Sequence, residues 1–236
     1  MSTKPTAPEG KFVVFEGVDN SGKTTVLELT EKWLRSQGKE VIATKHPGAT
    51  PLGREVRRII KHSDYEVDPN TEALVFAVDN SAFISQVLRP GLKRGAWILG
   101  DRNNFISSLA YQIASGCSFD ELDRVHAAIA NPPKIDLLFV LKCDWETSQE
   151  RKRQKMLTSN EPTKDRFEDR GKEYFDKLVD CYNQVIERHA HRLLKFVKAT
   201  ETIPVATPRC VYIDASQPIS AVFKHVSDTI AHTLNP

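Results

Sequence analysis

No stretch of the chain approaches the ~20 consecutive apolar residues of a bilayer-spanning helix, so no membrane partner is expected. Paired cysteines are also lacking. Cys117, Cys143, Cys181 and Cys210 are scattered without metal-site spacing and read as reduced, mostly buried thiols in a cytoplasmic setting. Charge of one sign is missing too. Lysine plus arginine (33) nearly balances aspartate plus glutamate (31), which argues against a general polyanion surface and against a nucleic-acid partner. Residues 1–10 carry no apolar signal core; polar and proline-containing, they are predicted to form a flexible tail ahead of a domain spanning 11–236. Repeats and other low-complexity blocks are absent, and 236 residues suffice for one large α/β domain.

What is present is organised around residues 12–25. Phe12 to Phe15 form a short apolar run, as in a strand buried on both faces of a parallel sheet. Gly17-x-x-x-x-Gly22-Lys23-Thr24 then fits a phosphate-binding loop. Its glycines let successive backbone N–H groups face anionic oxygens, Lys23 adds a point charge toward the β/γ-phosphates, and the Thr24 hydroxyl suits Mg²⁺. Helical periodicity follows from Thr25 and stops at Gly38, so the loop feeds a helix N-terminus that favours phosphate. Gly17, Asn20, Ser21, Gly22, Lys23, Thr24 and Thr25 are therefore the expected ATP contacts.

Further strands are predicted at Glu40–Lys45, Ala96–Gly100, Ile135–Leu141 and Cys210–Asp214, with helices between them. One long helical stretch, Asp68–Lys93, is expected to break or kink at Pro90. This alternation predicts a three-layer α/β fold: a five-stranded parallel sheet covered by helices. Asp101-Arg102, just past a buried strand, occupies a common place for working groups, and Asp101 is a candidate Mg²⁺ carboxylate. Residues 151–168 are basic and polar without a core face and are predicted to be a mobile lid.

Seven short motifs now fall into one order: Phe-Glu-Gly-x-Asp-x-x-Gly-Lys-Thr-Thr (15–25), Pro-Gly-x-Thr-Pro-Leu-Gly (47–53), Leu-x-Phe-Ala (74–77), Gly-Asp-Arg (100–102), Ser-Ser-Leu-Ala-Tyr-Gln (107–112), Asp-Arg-x-Glu (165–168) and Ile-Asp-Ala (213–215). The combination resembles the thymidylate kinases. That resemblance implies the phosphate-loop fold with a lid and Mg²⁺-dependent transfer of the ATP γ-phosphoryl group to dTMP. It also implies a homodimer.

By the same resemblance, Asp19 contacts the acceptor sugar and helps organise the metal shell, and Arg57 and Arg102 hold the acceptor phosphate, near Lys45 and Pro47. Phe76 stacks on the base; Ser108, Tyr111 and Gln112 crowd the sugar and read the base. A lid arginine acts on the transferring group, with Arg153 first choice and Arg151 and Arg166 next. The chain departs from the family where Lys45, His46 and Asn103 stand and in a longer 188–209 segment. It departs most at Asn80, where the family has an arginine that reaches a thymine carbonyl. Another or modified deoxypyrimidine monophosphate, or a deoxynucleoside, therefore remains an alternative acceptor, and a phosphate-loop switch protein is the non-enzymatic rival.

Overall fold

The structure, a computed structural model, describes residues 9–62, 67–129, 132–158, 170–197 and 207–236. Strands β1 (Lys11–Glu16), β2 (Val41–Lys45), β3 (Trp97–Asp101), β4 (Leu137–Lys142) and β7 (Cys210–Asp214) form one sheet in the order β2-β3-β1-β4-β7, every pairing parallel. All five strands read from the sequence are present. A small antiparallel pair, β5 (Phe196–Val197) and β6 (Thr207–Pro208), was not foreseen.

The apolar runs are explained by burial on two faces. Along β1, Phe12 and Val14 enter one core while Val13 and Phe15 enter the other. β4 repeats the pattern, with Leu138 and Val140 opposed to Leu137, Phe139 and Leu141. One face is covered by α1 (Lys23–Ser36) and α9 (Ile219–Leu234), which pack together. The other carries α3 (Pro69–Phe83), α5 (Asn104–Ala114) and α8 (Gly171–Leu193), with α2 (Pro51–His62) and α6 (Phe119–Ala127) against α3. On the outer side of α2 and α3, Leu52, Leu74 and Val78 are each about half exposed.

Two expectations shift. The long α-helix is interrupted directly before Pro90 and not at the proline itself. Residues Ile84–Leu88 form a π-helical turn and α4 (Arg89–Lys93) resumes the α-helix around the proline. A wider turn ahead of Pro90 accommodates its missing N–H and the steric demand of its ring on the preceding turn. Gly10 is not part of a tail: it is buried, donates to Leu92 O at 3.1 Å, and has no room for a Cβ beside Leu92 and Ala96. Residues 1–8 and most of the predicted lid, 159–169 with Arg166 and the Asp165–Glu168 motif, lie outside the described residues. The described part of the predicted lid, 151–158, is the end of α7 (Trp145–Thr158).

The register brings the working ends of the strands to one rim: Lys45 lies beside Asp101, and Asp101 beside Phe15. Phe15 and Phe139 stack at 5.4 Å in the core directly beneath. Phe139→Ala should destabilise the fold by about 3–5 kcal/mol, a large share of the ~5–15 kcal/mol of a typical domain. Chemical denaturation would show this as a lower midpoint.

Candidate active site

β1 ends at Glu16, and the chain turns through the loop into α1. Gly17 (φ +136°) and Gly22 (φ +93°) adopt backbone conformations that L side chains rarely reach, and a Cβ on Gly17 would collide with Leu141 O. Glycine is required at both for the loop to close over the strand end. Lys23 is folded back into this loop, its Nζ donating to Gly17 O (3.0 Å), Val18 O (2.6 Å) and Ser21 Oγ (3.3 Å). Burial lowers its pKa to about 8, aided by Arg102 and opposed by Asp19, Asp101 and Glu16. Thr24 and Thr25 are exposed at the start of α1, with Thr24 Oγ1 donating to Asp101 Oδ2 at 2.6 Å. This hydroxyl–carboxylate pair at the head of a helix supplies hard oxygen ligands of the kind Mg²⁺ takes alongside phosphate.

Arg102 is the centre of a second group of contacts. Its backbone is left-handed (φ +74°), held by its own N–H to Phe15 O (2.9 Å) and by the next N–H, of Asn103, to Glu16 Oε1 (2.7 Å). Such a conformation costs a non-glycine residue about 1–2 kcal/mol. It turns the side chain under the phosphate loop. Nη1 donates to Gly17 O (3.0 Å) and Tyr182 Oη (2.5 Å), and Nη2 to Asp19 Oδ1 (2.5 Å) and Tyr111 Oη (3.2 Å). Tyr111 in turn donates to Asp19 Oδ2 at 2.5 Å. Burial pushes both tyrosine hydroxyls well above their usual pKa despite Arg102, so they keep their protons. Burial also raises Asp19, but Arg102 and Lys23 outweigh it and hold the carboxyl well below the usual range. Both oxygens of Asp19 are thereby engaged, one by Arg102 and the other by Tyr111.

α3 and α5 form the next wall. They run antiparallel, tied at one end by Asn104 Nδ2 to Asp79 Oδ2 and at the other by Gln112 Nε2 to Glu72 Oε2 (3.1 Å). Phe76 and Asn80 are buried on the same face of α3 as those ties. Ser108, midway along α5, falls at the level of Phe76, and its Oγ is buried without a hydrogen-bond partner, as is Gln112 Oε1. Arg57 reaches back from α2 to Pro47 O (3.2 Å) at the end of β2, whereas Arg54 and Arg58 are exposed.

The lid-region arginines separate. Arg151 bridges the loop to the end of β7, donating to Ser21 O (3.3 Å) and Ala215 O (2.6 Å). Arg153, first choice from the sequence, is exposed and paired with Glu150 on its own helix (2.6 Å). Several contributors escaped the sequence reading. Glu16, raised in pKa by burial, faces Ser107 Oγ at 2.9 Å from each oxygen. Ser148 Oγ donates to Asp19 O at 3.0 Å, and Tyr182 looked only like a core position of α8. Glu16 had a signal, being charged between a buried run and the loop; the others had none. Asn103, read as a departure, caps α5 by accepting from Phe105 N and Ile106 N (3.0 and 3.1 Å).

A parallel sheet with a phosphate loop on its central strand, a helix N-terminus beneath the loop and a ring of cations at the same rim defines a phosphate-loop nucleotide kinase. Sequence comparison gives the family. The model for "Thymidylate kinase" matches residues 15–204. The chain is 36% identical over 186 residues to a thymidylate kinase of Pelotomaculum thermopropionicum, covering 78% of this chain and 83% of that one. It is 30% identical over 223 residues to that of Nitrosospira multiformis, covering 94% and 97%. The chain belongs to the thymidylate kinase family.

Because bound phosphate would restore the ammonium of Lys23, ATP binding above about pH 8 should take up a proton. Lys23→Ala should abolish both that uptake and turnover while leaving the melting temperature little changed, since it removes a desolvated cation. Calorimetry in buffers of differing ionisation enthalpy measures the uptake.

Proposed function

We propose that this enzyme transfers the γ-phosphoryl group of ATP to the phosphate of dTMP, giving dTDP for dTTP synthesis. The observation that carries this reading is the pairing of a phosphate loop with further cations at the same rim, Lys45 and Arg57 at the end of β2 and Arg102 after β3. An uncharged nucleoside acceptor would not need those cations. A nucleotide-switch protein would need neither them nor the buried wall of Phe76, Ser108 and Gln112.

In this reading the loop amides and Lys23 hold the β- and γ-phosphates at the head of α1. When bound, Mg²⁺ neutralises charge on the phosphates; Thr24 and Asp101 would hold it, with Asp19 nearby as a weaker candidate. Arg102 and Asp19 place the acceptor phosphate and sugar, and Phe76 supports the base. Phosphoryl transfer leaves the protein chiefly the tasks of alignment and charge neutralisation. A closing lid would exclude water from the γ-phosphate. The cleft of about 320 Å³ lined by Lys142, Asp144, Tyr212 and Ser216, next to Ala215, suits the adenosine end of ATP.

Half-exposed Leu52, Leu74 and Val78 support a homodimer built on α2 and α3. No helix among the described residues is long and apolar enough to cross a membrane, and with four unpaired thiols this supports a cytoplasmic enzyme.

Arg151 is the better candidate for the arginine that acts on the transferring group, since it already lies against the loop. Arg151→Ala should lower kcat by about 10³-fold or more, with a far smaller change in KM for dTMP. Arg153→Ala should leave kcat near wild type. The reverse ranking in steady-state assays would return the role to Arg153.

Asn80 bears on the base. It is shorter than arginine, neutral, and both donates and accepts, so it tolerates an amino group as readily as a carbonyl. Loss of one charge-assisted hydrogen bond, about 1.5–3 kcal/mol, removes a tenfold or greater preference. Coupled ADP assays should show dTMP accepted with weak discrimination against dUMP and dCMP. A strong preference for dTMP would assign base selection to another group, with Gln112 the first to test.

A further inference from the structure

Asp79 is fully buried on α3, and the scheme above gives it no contact with either nucleotide. Its carboxylate is nevertheless where four segments meet. Oδ2 accepts from Nδ2 of Asn104, the first residue of α5. Oδ1 accepts from Gly48 N (3.4 Å), in the loop after β2. The same oxygen closes against α2: it occupies the space that a Cβ on Gly53 would need.

His46 approaches from the end of β2. Its Nδ1 lies 3.7 Å from Asp79 Oδ2 and is buried without a hydrogen-bond partner. Thr44 Oγ1 donates to Leu99 O (3.1 Å) and lies 3.4 Å from His46 Nε2. The ring is seated between Thr44 of β2 and the Asp79 carboxylate.

These contacts join two halves of one substrate site. On one side are Lys45, Pro47 and Arg57, the arm assigned to the acceptor phosphate. On the other are α3 and α5, which carry Phe76, Asn80, Ser108 and Tyr111 for the base and sugar. One acceptor molecule must span both, so their separation decides whether its phosphate lies in line with the donor. We propose that Asp79 is the positioning residue that sets this separation, locking the phosphate arm to the nucleoside wall. The inference rests on the acceptor assignment made under the proposed function. The phosphate loop, 17–24, shares no hydrogen bond with Asp79 among the described residues, so the effect should be confined to the acceptor.

The test compares Asp79→Ala, Asp79→Asn and Asn104→Ala with the wild type, measuring kcat, KM for dTMP and for ATP, calorimetric binding of dTMP, and melting temperature. Asp79→Ala should raise KM for dTMP and weaken its binding by about tenfold or more, as expected for a misplaced reactant. KM for ATP should stay within about twofold. Asp79→Asn keeps an acceptor for Gly48 and, after an amide flip, a partner for Asn104, so it should recover most of the loss. Asn104→Ala cuts one tie and leaves Asp79 in place. It should shift dTMP in the same direction, and it carries the test if Asp79→Ala does not fold. Wild-type dTMP affinity in Asn104→Ala, equal losses in the Asn and Ala variants, or matching rises in KM for ATP and dTMP would each overturn the proposal. A wild-type enzyme that makes no ADP in response to dTMP would instead overturn the function itself, which keeps the two failures apart.

Discussion

A cation held largely out of water must find hydrogen-bond acceptors, and the partial burial of Arg102 imposes that constraint on everything around it. Its guanidinium is satisfied by the loop carbonyl of Gly17, by Asp19 inside the loop, by Tyr111 on α5 and by Tyr182 on α8. Glu16 lies 3.8 Å away and pins the start of α5 through Asn103 N and Ser107. One side chain thus joins the central strand, the phosphate loop and two helices. Its left-handed backbone is tolerable because the flanking hydrogen bonds over-determine it.

The same arrangement satisfies the loop cations within the protein. Lys23 directs its Nζ into the loop, Arg102 is fully engaged with protein, and Arg151 braces the loop against the end of β7. Anionic substrates would exchange these internal contacts for stronger, charge-assisted ones with phosphate oxygens. The electrostatics favour that exchange: burial depresses Lys23, and a phosphate anion beside it would restore its ammonium form.

Much of this was legible in the chain. The four-residue apolar run at Phe12–Phe15, the glycine spacing and the helical periodicity after Lys23 are local signals, and each strand read from an apolar run occurs in the sheet. Asp101 and Arg102 stood out because they follow a buried strand. The reading was weaker where a role depends on partners distant in sequence. Tyr182 is eighty residues from Arg102 and gave no sign beyond its place on an apolar face. Arg151 and Arg153 are indistinguishable in a basic run, yet one faces the loop and the other solvent, because two steps along a helix is more than half a turn.

Asp79 illustrates the same division. In the sequence it was only the neighbour of the conspicuous Asn80, while in the structure its carboxylate gathers the β2 loop, α2 and α5. The sequence by itself determined the strand and helix order, the phosphate loop and the family, because these depend on side-chain periodicity and on backbone freedom at single glycines. Only the tertiary structure decided which charges face one another, how deeply each is buried and which oxygens are already taken. Those properties arise from parallel strand register and helix packing, which place residues far apart in the chain within a hydrogen bond of each other.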